Sequence, residues 1–198
     1  MKKLVLATGN PDKVLEIKEL LQGLPVRVFT LDDYPDLIMP EEDMPTFAGN
    51  AAKKAETVSI AAGEIALADD SGLRVDALGG RPGVHSARYA GEGGNYKSNN
   101  LLLLKELKGV PPEQRSASFK CAIAVAVPGD QTYIIEESCP GRITEGFWGK
   151  GGFGYDPLFY YEPAGKTFAE MSPEEKNRVS HRGKALRRTR ELLERLLK

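Results

Sequence analysis

Short apolar runs and helical patterns alternate through the first third of the chain. Residues 3–7 (KLVLA) and 65–68 (IALA) are uninterrupted apolar runs, which predict buried strands. A further strand is predicted at 26–30 and an alanine-rich helix at 50–62. Asn10 can cap a helix that begins at Pro11. Its apolar positions recur at helical spacing, namely Val14, Ile17, Leu20 and Leu21.

The middle of the chain alternates with a period of two. From 117 to 127 the odd positions read Ala, Phe, Cys, Ile, Val and Val, whereas the even ones hold Ser118, Lys120 and three alanines. This pattern predicts a long strand with one well-buried face. After a turn at 128–131, we predict strands at 132–136, 141–144 and 158–161. Helices are predicted at 99–107 and from Ser172 onward, where an apolar stripe is formed by Leu186, Leu193 and Leu197.

These elements predict an α/β fold with a long mixed central sheet and flanking helices, in one domain of residues 1–198. The composition, 41% hydrophobic and 28% charged, is that of an ordinary globular protein. A formal net charge of −1 creates no overall field toward nucleic acid or a membrane. No signal peptide or membrane span is visible, and Cys121 and Cys139 lack the spacing of a disulfide framework or a CxxC site. We therefore expect a reduced, cytoplasmic setting.

The first candidate site is Thr8-Gly9-Asn10-x-x-Lys13, between a strand and a helix. A helix N-terminus offers unpaired N–H groups and the positive end of the helix dipole, which suit a phosphate. Lys13 would add a cation at the same place. In the alternative, Asn10 merely caps the helix and Lys13 faces solvent. The pattern GxxxxGK[ST] is absent, so this is not a P-loop.

A second candidate is Asp69-Asp70-Ser71-Gly72, which follows the apolar run 65–68. Adjacent carboxylates repel one another unless a cation relieves them, and Mg²⁺ prefers such oxygen ligands together with substrate phosphates. The alternative is an Asp-rich turn with Gly72 in a left-handed conformation. The acidic stretch 41–43 could supply a further ligand, or could be a solvated loop.

Two more clusters lie in the second half of the chain. The glycine-rich segment 149–157 lets backbone approach a ligand closely, and Phe153 or Tyr155 could stack on a base or fill the core. Lys176 and Ser180-His181-Arg182 start a basic C-terminal helix. His181 and Arg182 could read an oxygen-rich base, although a lone histidine is often structural and the other charges mostly mark a solvated face.

Taken together, these stretches closely resemble the inosine/xanthosine triphosphate pyrophosphatase family. The matching segments are ATGNPDK, ADDSGL followed by LGGRPGVHSARYAG, GGFGYDP and SHRGKAL, in the order of the family and from residue 7 to residue 186. The resemblance implies an α/β fold with two lobes around a cleft, a homodimer, and Mg²⁺-dependent hydrolysis between the α- and β-phosphates. The implied substrates are non-standard purine nucleotides: dITP, ITP and XTP.

The resemblance also implies roles for individual residues. Asp70 would activate the attacking water or bind Mg²⁺, and Asp69 would assist it. Glu42 would be the second metal ligand, although the neighbouring Glu41 could occupy that position if the match is shifted by one residue. The implied substrate contacts are Thr8, Gly9, Asn10, Lys13 and Lys54 at the phosphates, Ser71, and Phe153, Gly154, Tyr155, Asp156, Lys176, His181 and Arg182 at the base. Protein donors aimed at the 6-position of the purine donate to the oxygen of hypoxanthine or xanthine, but face another donor, the amino group, in adenine.

Two other functions stay open at this point. A related pyrophosphatase acting on dUTP or another modified nucleotide would keep the phosphate machinery and differ at the base. A nucleic-acid-binding module using the basic C-terminal helix would show strongly salt-dependent binding. The balanced net charge and the Asp69-Asp70 pair argue against stable nucleic-acid binding.

Overall fold

The chain folds into a mixed β-sheet with flanking helices. The computed structural model describes residues 1–92 and 95–198. In that part of the chain the strands are β1 (Lys2–Leu6), β2 (Val26–Phe29), β3 (Ile65–Val75), β4 (Ser116–Ala126), β5 (Thr132–Ile143), β6 (Phe159–Tyr161) and β7 (Lys166–Thr167). The α-helices are α1 (Pro11–Leu20), α2 (Phe47–Ala62), α3 (Tyr96–Glu106), α4 (Pro173–Val179) and α5 (His181–Leu196).

The strand order is β2-β1-β3-β4-β5-β6-β7. Strand β1 runs parallel to β2 and β3, whereas β6 is antiparallel to β5 and β7. The predicted α/β class and mixed sheet are therefore confirmed. Within the described part of the chain, no helix has the length and apolar character that crossing a bilayer requires.

The chain divides into two compact units, and its path passes from one to the other after residues 70, 120, 137 and 183. The first unit contains Met1–Asp70, Cys121–Glu137 and Lys184–Lys198. The second contains Ser71–Lys120 and Ser138–Gly183. The single domain expected for residues 1–198 stays a prediction.

In the first unit, successive residues of each strand enter two different apolar clusters. The larger side chains of β1, β3 and β4 pack with residues of α1 and α5, for example Leu6, Leu67 and Ile123 with Ile17 and Leu193. The intervening residues pack with α2 and are mostly small: Ala7, Ala66, Ala68, Ala122 and Ala124 with Ala51 and Ala55. The period-two pattern predicts that β4 buries one face. From Cys121 onward both faces are buried, because the alanines on the second face pack with residues of α2.

The core of the second unit is aromatic. The rings of Phe119, Phe159 and Phe168 contact one another, with centroids 4.6–5.7 Å apart. Leu73, Leu103 and other buried apolar side chains complete this cluster. Burying such large rings fixes the segments that lie between β5 and α4.

Several predicted elements differ from those observed. The strand predicted at 65–68 is too short, since β3 continues through Asp69 to Val75. The strands predicted at 132–136 and 141–144 are one continuous strand, β5. The predicted C-terminal helix is interrupted at Ser180, whose extended backbone ends α4 and whose hydroxyl accepts a hydrogen bond from the Gly183 N–H in the first turn of α5.

Candidate active site

The connection between β1 and α1 carries the first predicted site. The Asn10 side chain caps α1 by accepting hydrogen bonds from the N–H groups of Asp12 and Lys13, at 2.9 and 3.3 Å. The Thr8 hydroxyl accepts from the Asn10 N–H at 3.2 Å. A Cβ added to Gly9 would meet nothing within 4 Å. Two N–H groups of the helix end are thus occupied by Asn10, as the capping alternative expected.

The Lys13 side chain does not face solvent. Its ammonium lies 3.0 Å from a carboxylate oxygen of Asp69, which is fully buried on β3. The geometry follows from the strand: β1 pairs with β3 only as far as Leu67, so Asp69 stands just beyond the carboxyl end of β1, where α1 begins. Asp69 and Asp70 therefore still lie where a neighbouring strand ends, although they are not in a turn.

Strand alternation sends the two aspartates to opposite faces of the sheet. Asp69 shares the face of Leu67, which α1 covers, and so meets Lys13. Asp70 shares the face of Ala68, which α2 covers. There it accepts a hydrogen bond from Asn50 at 3.1 Å and lies 3.9 Å from the Lys54 ammonium. One dipeptide thus supplies carboxylates to two helices.

The acidic stretch 41–43 places one carboxylate, that of Glu42, beside the Lys54 ammonium. Glu42 lies 2.6 Å from the Lys54 ammonium, which also donates to the Asp69 carbonyl at 2.9 Å. Asp43 instead pairs with the more exposed Lys53, and Glu41 accepts from Lys53 through its backbone carbonyl. The side chain that shares Lys54 with Asp70 is therefore that of Glu42. We call Glu42, Asp69, Asp70, Lys13, Lys54 and Asn50 the carboxylate cluster.

Burial and charge act against each other in this cluster. Burial raises the pKa of the Asp70 carboxyl, and Glu42 adds to the rise, while Lys54 opposes it without cancelling it. Burial lowers the pKa of the Lys54 ammonium, but Asp70, Glu42 and Asp69 outweigh burial and leave that pKa raised. Lys54 thus stays charged, and Asp70 is a stronger proton acceptor than an exposed aspartate.

A second group of polar side chains lies in the second unit, around Phe153. Asp156 is buried and accepts hydrogen bonds from the Phe153 N–H at 2.9 Å and from the Lys176 ammonium at 2.7 Å. Gly152 has a φ of +69°, and a Cβ there would come within 2.1 Å of an Asp156 carboxylate oxygen. Only glycine allows this loop to close over the Asp156–Lys176 pair.

Two cations lie over the Phe153 ring. The Lys176 ammonium is 4.4 Å and the Arg182 guanidinium carbon 5.4 Å from its centroid. Arg182 also donates to the hydroxyl oxygen of Ser71 at 2.7 Å. Ser71, the residue after Asp70 in β3, therefore contacts Arg182. We call Ser71, Phe153, Asp156, Lys176 and Arg182 the Phe153 cluster.

Two residues expected at the base, Tyr155 and His181, are buried, and their contact with a base stays a prediction. The Tyr155 ring belongs to the aromatic cluster of the second unit, and its hydroxyl donates to the Ser86 carbonyl at 2.9 Å. This burial raises the pKa of the Tyr155 hydroxyl, which stays a donor. The His181 ring is buried and stacked on Phe119, with centroids 4.6 Å apart. Gly154 presents its carbonyl to the Asn100 amide at 2.7 Å.

Comparison with known proteins decides the family. The model of the Ham1 family matches residues 4–192. The dITP/XTP pyrophosphatase of Geobacillus kaustophilus is 55% identical over 186 residues, which cover 94% of this chain and 91% of that protein. The chain belongs to the Ham1 family. The resemblance stated from the sequence is confirmed.

Other members of the Ham1 family agree in sequence and in fold. The dITP/XTP pyrophosphatase of Desulforamulus reducens is 52% identical over 194 residues, covering 98% of this chain and 96% of that protein. The structure of a HAM1 protein from Coxiella burnetii superposes with a TM-score of 0.91 at 38% identity, covering 98% of this chain and all of the other. The mixed sheet with flanking helices is thus the fold of a solved Ham1 structure.

The basic C-terminal helix has a structural explanation within this Ham1 fold. Leu186 and Leu193 are buried, as predicted from the apolar stripe. Arg188 pairs with Glu137 at 2.7 Å, and Arg190 pairs with Glu194 at 3.2 Å and donates to the Gln22 carbonyl. These charges are matched by groups of the same chain, so they do not by themselves indicate a nucleic-acid surface.

One site residue was missed in the sequence. Asn50 was taken as the first residue of an alanine-rich helix, whereas α2 begins at Phe47 after the Thr46 cap, which places Asn50 one turn inside. Asn50 and Lys54 are four residues apart and so share a face of the helix. That spacing, next to the buried Ala51 and Ala55, was the available signal.

Proposed function

We propose that this protein hydrolyses dITP, ITP and XTP between the α- and β-phosphates, releasing pyrophosphate and the nucleoside monophosphate. The observation that carries the proposal is Asp70, a buried carboxylate whose pKa is raised and which lies between the Asn50 amide and the Lys54 ammonium. Two relatives that match nearly the whole chain are named dITP/XTP pyrophosphatases.

Asp70 is the proposed general base. Cleavage of a phosphoanhydride depends on orienting the attacking water and on stabilising charge, more than on covalent chemistry. A carboxylate with a raised pKa accepts the proton of that water more readily than an exposed one. Asp69 has a supporting role in this proposal, because its carboxylate is committed to Lys13 at 3.0 Å.

The carboxylate cluster fits a magnesium ion. The carboxylates of Glu42 and Asp70 both lie near the Lys54 ammonium, at 2.6 and 3.9 Å. No group of three or more His, Cys, Asp or Glu side chains is placed to hold a metal within residues 1–92 and 95–198. Mg²⁺ needs fewer protein ligands, since it binds through one or two carboxylates and the substrate phosphates. Glu42 and Asp70 are the proposed ligands, and the bound ion would neutralise phosphate charge.

Lys13 and Lys54 are the proposed cations for the triphosphate. Both ammonium groups are held by buried carboxylates, so that they are presented in fixed positions rather than on mobile side chains. Thr8, Gly9 and Asn10 stand at the N-terminal end of α1, where the open space around Gly9 permits close approach of a phosphate.

The Phe153 cluster is the proposed reader of the purine. Arg182 is the favoured donor for the 6-oxygen, because its guanidinium is fixed by Ser71 and by the Phe153 ring. Lys176 and Asp156 hold the loop in shape through their buried pair. Adenine would set its amino group against a donor, and an unpaired buried donor costs about 1–3 kcal/mol.

A panel of nucleotides tests this function. Initial rates with dITP, XTP, dUTP and dATP should rank the 6-oxopurines first, with pyrophosphate as the product in each case. Faster turnover of dUTP or dATP than of dITP would refute the proposed specificity, but would not contradict cleavage between the α- and β-phosphates. The absence of turnover of any of the four with Mg²⁺ would refute the function itself.

We also propose a homodimer that works in the cytoplasm, on the family likeness alone. Light scattering coupled to size-exclusion chromatography measures the first claim directly. A mass near twice that of the 21.6 kDa chain is expected, and a mass equal to one chain would contradict it.

A further inference from the structure

A buried amide links the loop that carries Glu42 to the strand that carries Asp70. It belongs to Asn50, a residue that is only 1% exposed. The side chain stands in the first turns of α2, on the same helix face as Lys54. Asn50 is not itself the proposed general base, a proposed metal ligand or a proposed substrate contact.

Every polar hydrogen of this amide has a partner. The Asn50 Oδ1 accepts a hydrogen bond from the Met44 N–H at 3.0 Å. The Nδ2 donates to the Met44 carbonyl at 3.4 Å and to Asp70 Oδ2 at 3.1 Å. A primary amide is planar and has two donors, so the directions of these bonds are fixed together. The position of the Asp70 carboxylate is therefore tied to the backbone of Met44.

Met44 lies two residues after Glu42, which makes this tie relevant to both carboxylates. The Lys54 ammonium draws one oxygen of Glu42 to 2.6 Å and lies 3.9 Å from Asp70 Oδ1. Asp70 is buried and the Glu42 side chain is only partly exposed, so the two carboxylates repel one another, and attraction to one lysine alone would leave their separation free to vary. A neutral donor on Asp70 Oδ2 restrains that separation without cancelling the charge.

We propose that Asn50 is a positioning residue that sets the separation between the carboxylates of Glu42 and Asp70. This inference rests on the proposed function, in which these two side chains hold the divalent ion and Asp70 orients the water. Groups that hydrogen-bond to metal ligands fix their orientation, and removing such a group costs about 10- to 100-fold in metal affinity or activity.

A purely structural role for Asn50 makes different predictions. Asn50 could serve only to fasten the loop before α2, in which case its loss would lower stability and leave the chemistry intact. Thr46→Ala is the matched control, because the Thr46 hydroxyl caps the same helix end by accepting from the Gly49 N–H at 3.0 Å and has no bond to Asp70. Loss of such a cap costs about 1 kcal/mol.

The experiment compares Asn50→Asp, Asn50→Ala and Thr46→Ala with the wild type. Asn50→Asp keeps an acceptor for the Met44 N–H but loses the donor to Asp70. We expect kcat for dITP to fall about 10- to 100-fold in both Asn50 variants, with KM changed by less than about threefold. Mn²⁺ binding without nucleotide, followed by the electron paramagnetic resonance signal of the free ion, should weaken by about the same 10- to 100-fold. Thr46→Ala should lower only the unfolding temperature.

The inference is overturned if Asn50→Asp retains the wild-type kcat and Mn²⁺ affinity, or if Thr46→Ala loses as much of either as Asn50→Ala. It is also overturned if the wild-type protein binds no Mn²⁺. If Asn50→Ala does not fold, as judged by circular dichroism, the comparison of Asn50→Asp with Thr46→Ala decides. A wild-type protein that binds Mn²⁺ but releases no pyrophosphate from dITP would refute the proposed function, and the Mn²⁺ titrations would still test the role of Asn50.

Discussion

Replacing Asp70 by asparagine removes a charge and a base while keeping the shape of the side chain. The amide oxygen of the Asp70→Asn variant can still accept from Asn50, which lies 3.1 Å from the carboxylate. Lys54 keeps Glu42 at 2.6 Å. Loss of a general base costs about 10²- to 10⁴-fold in rate, which corresponds to about 2.7–5.4 kcal/mol of transition-state stabilisation. We expect kcat/KM for dITP to fall by at least about 100-fold.

The same variant should be no less stable than the wild type. Because burial raises the pKa of Asp70, the native protein binds this proton more tightly than the unfolded chain does. The contribution of Asp70 to stability therefore falls as the pH rises from the ordinary aspartate value, about 3.9, through the raised folded pKa. Asp70→Asn abolishes this cost. Urea unfolding at pH 7 should give an unchanged or larger free energy of unfolding.

Asp43→Asn is the control for this prediction. It removes an exposed carboxylate of the nearby loop, whose pair with Lys53 is solvent-exposed and worth little. Its activity and stability should match those of the wild type. Activity of Asp70→Asn within about tenfold of the wild type would refute the assignment of Asp70 as the base, since loss of a general base costs far more.

Three further substitutions test other parts of the account. Lys13→Ala leaves the fully buried Asp69 without this cation, so we expect a loss of about 3–5 kcal/mol in urea unfolding together with a raised KM for dITP; unchanged stability would contradict the buried pair. Arg182→Ala should reduce the dITP-over-dATP ratio of kcat/KM by about 5- to 160-fold, and an unchanged ratio would move the purine reading elsewhere. Gly152→Ala should lower the unfolding temperature and raise the KM for dITP, because a Cβ would meet Asp156 at 2.1 Å; wild-type values of both would show that the loop can shift freely.

Sequence patterns predicted most elements of this fold, because their apolar positions follow the period of the element they form. The exceptions have local causes. The apolar run predicts a strand only over 65–68, yet Asp69, Ser71 and Gly72 continue it although Asp, Ser and Gly are poor strand formers. The C-terminal helix is predicted as continuous from its apolar stripe, whereas the Ser180 hydroxyl caps a second helix, the role that serine favours over a helix interior.

The sequence predicted which residues belong to the candidate site better than it predicted which of them contact one another. The Asp69-Asp70 pair and Lys13 were evident as chemical groups, but which carboxylate meets which lysine depends on strand alternation within an element that was predicted too short. Glu42 could be separated from Glu41 only by the position of Lys54. Tyr155 was expected either to stack on a base or to fill the core, and a lone histidine such as His181 is often structural; both side chains are buried in the structure. Composition alone cannot resolve that choice.

The central claim is cleavage between the α- and β-phosphates of a 6-oxopurine nucleotide. It is tested most directly by incubating the protein with ITP and Mg²⁺ and identifying the products by phosphorus NMR. The account predicts IMP and pyrophosphate in equal amounts, with no orthophosphate. Release of orthophosphate with IDP would contradict it, because the attack would then fall on the terminal phosphate.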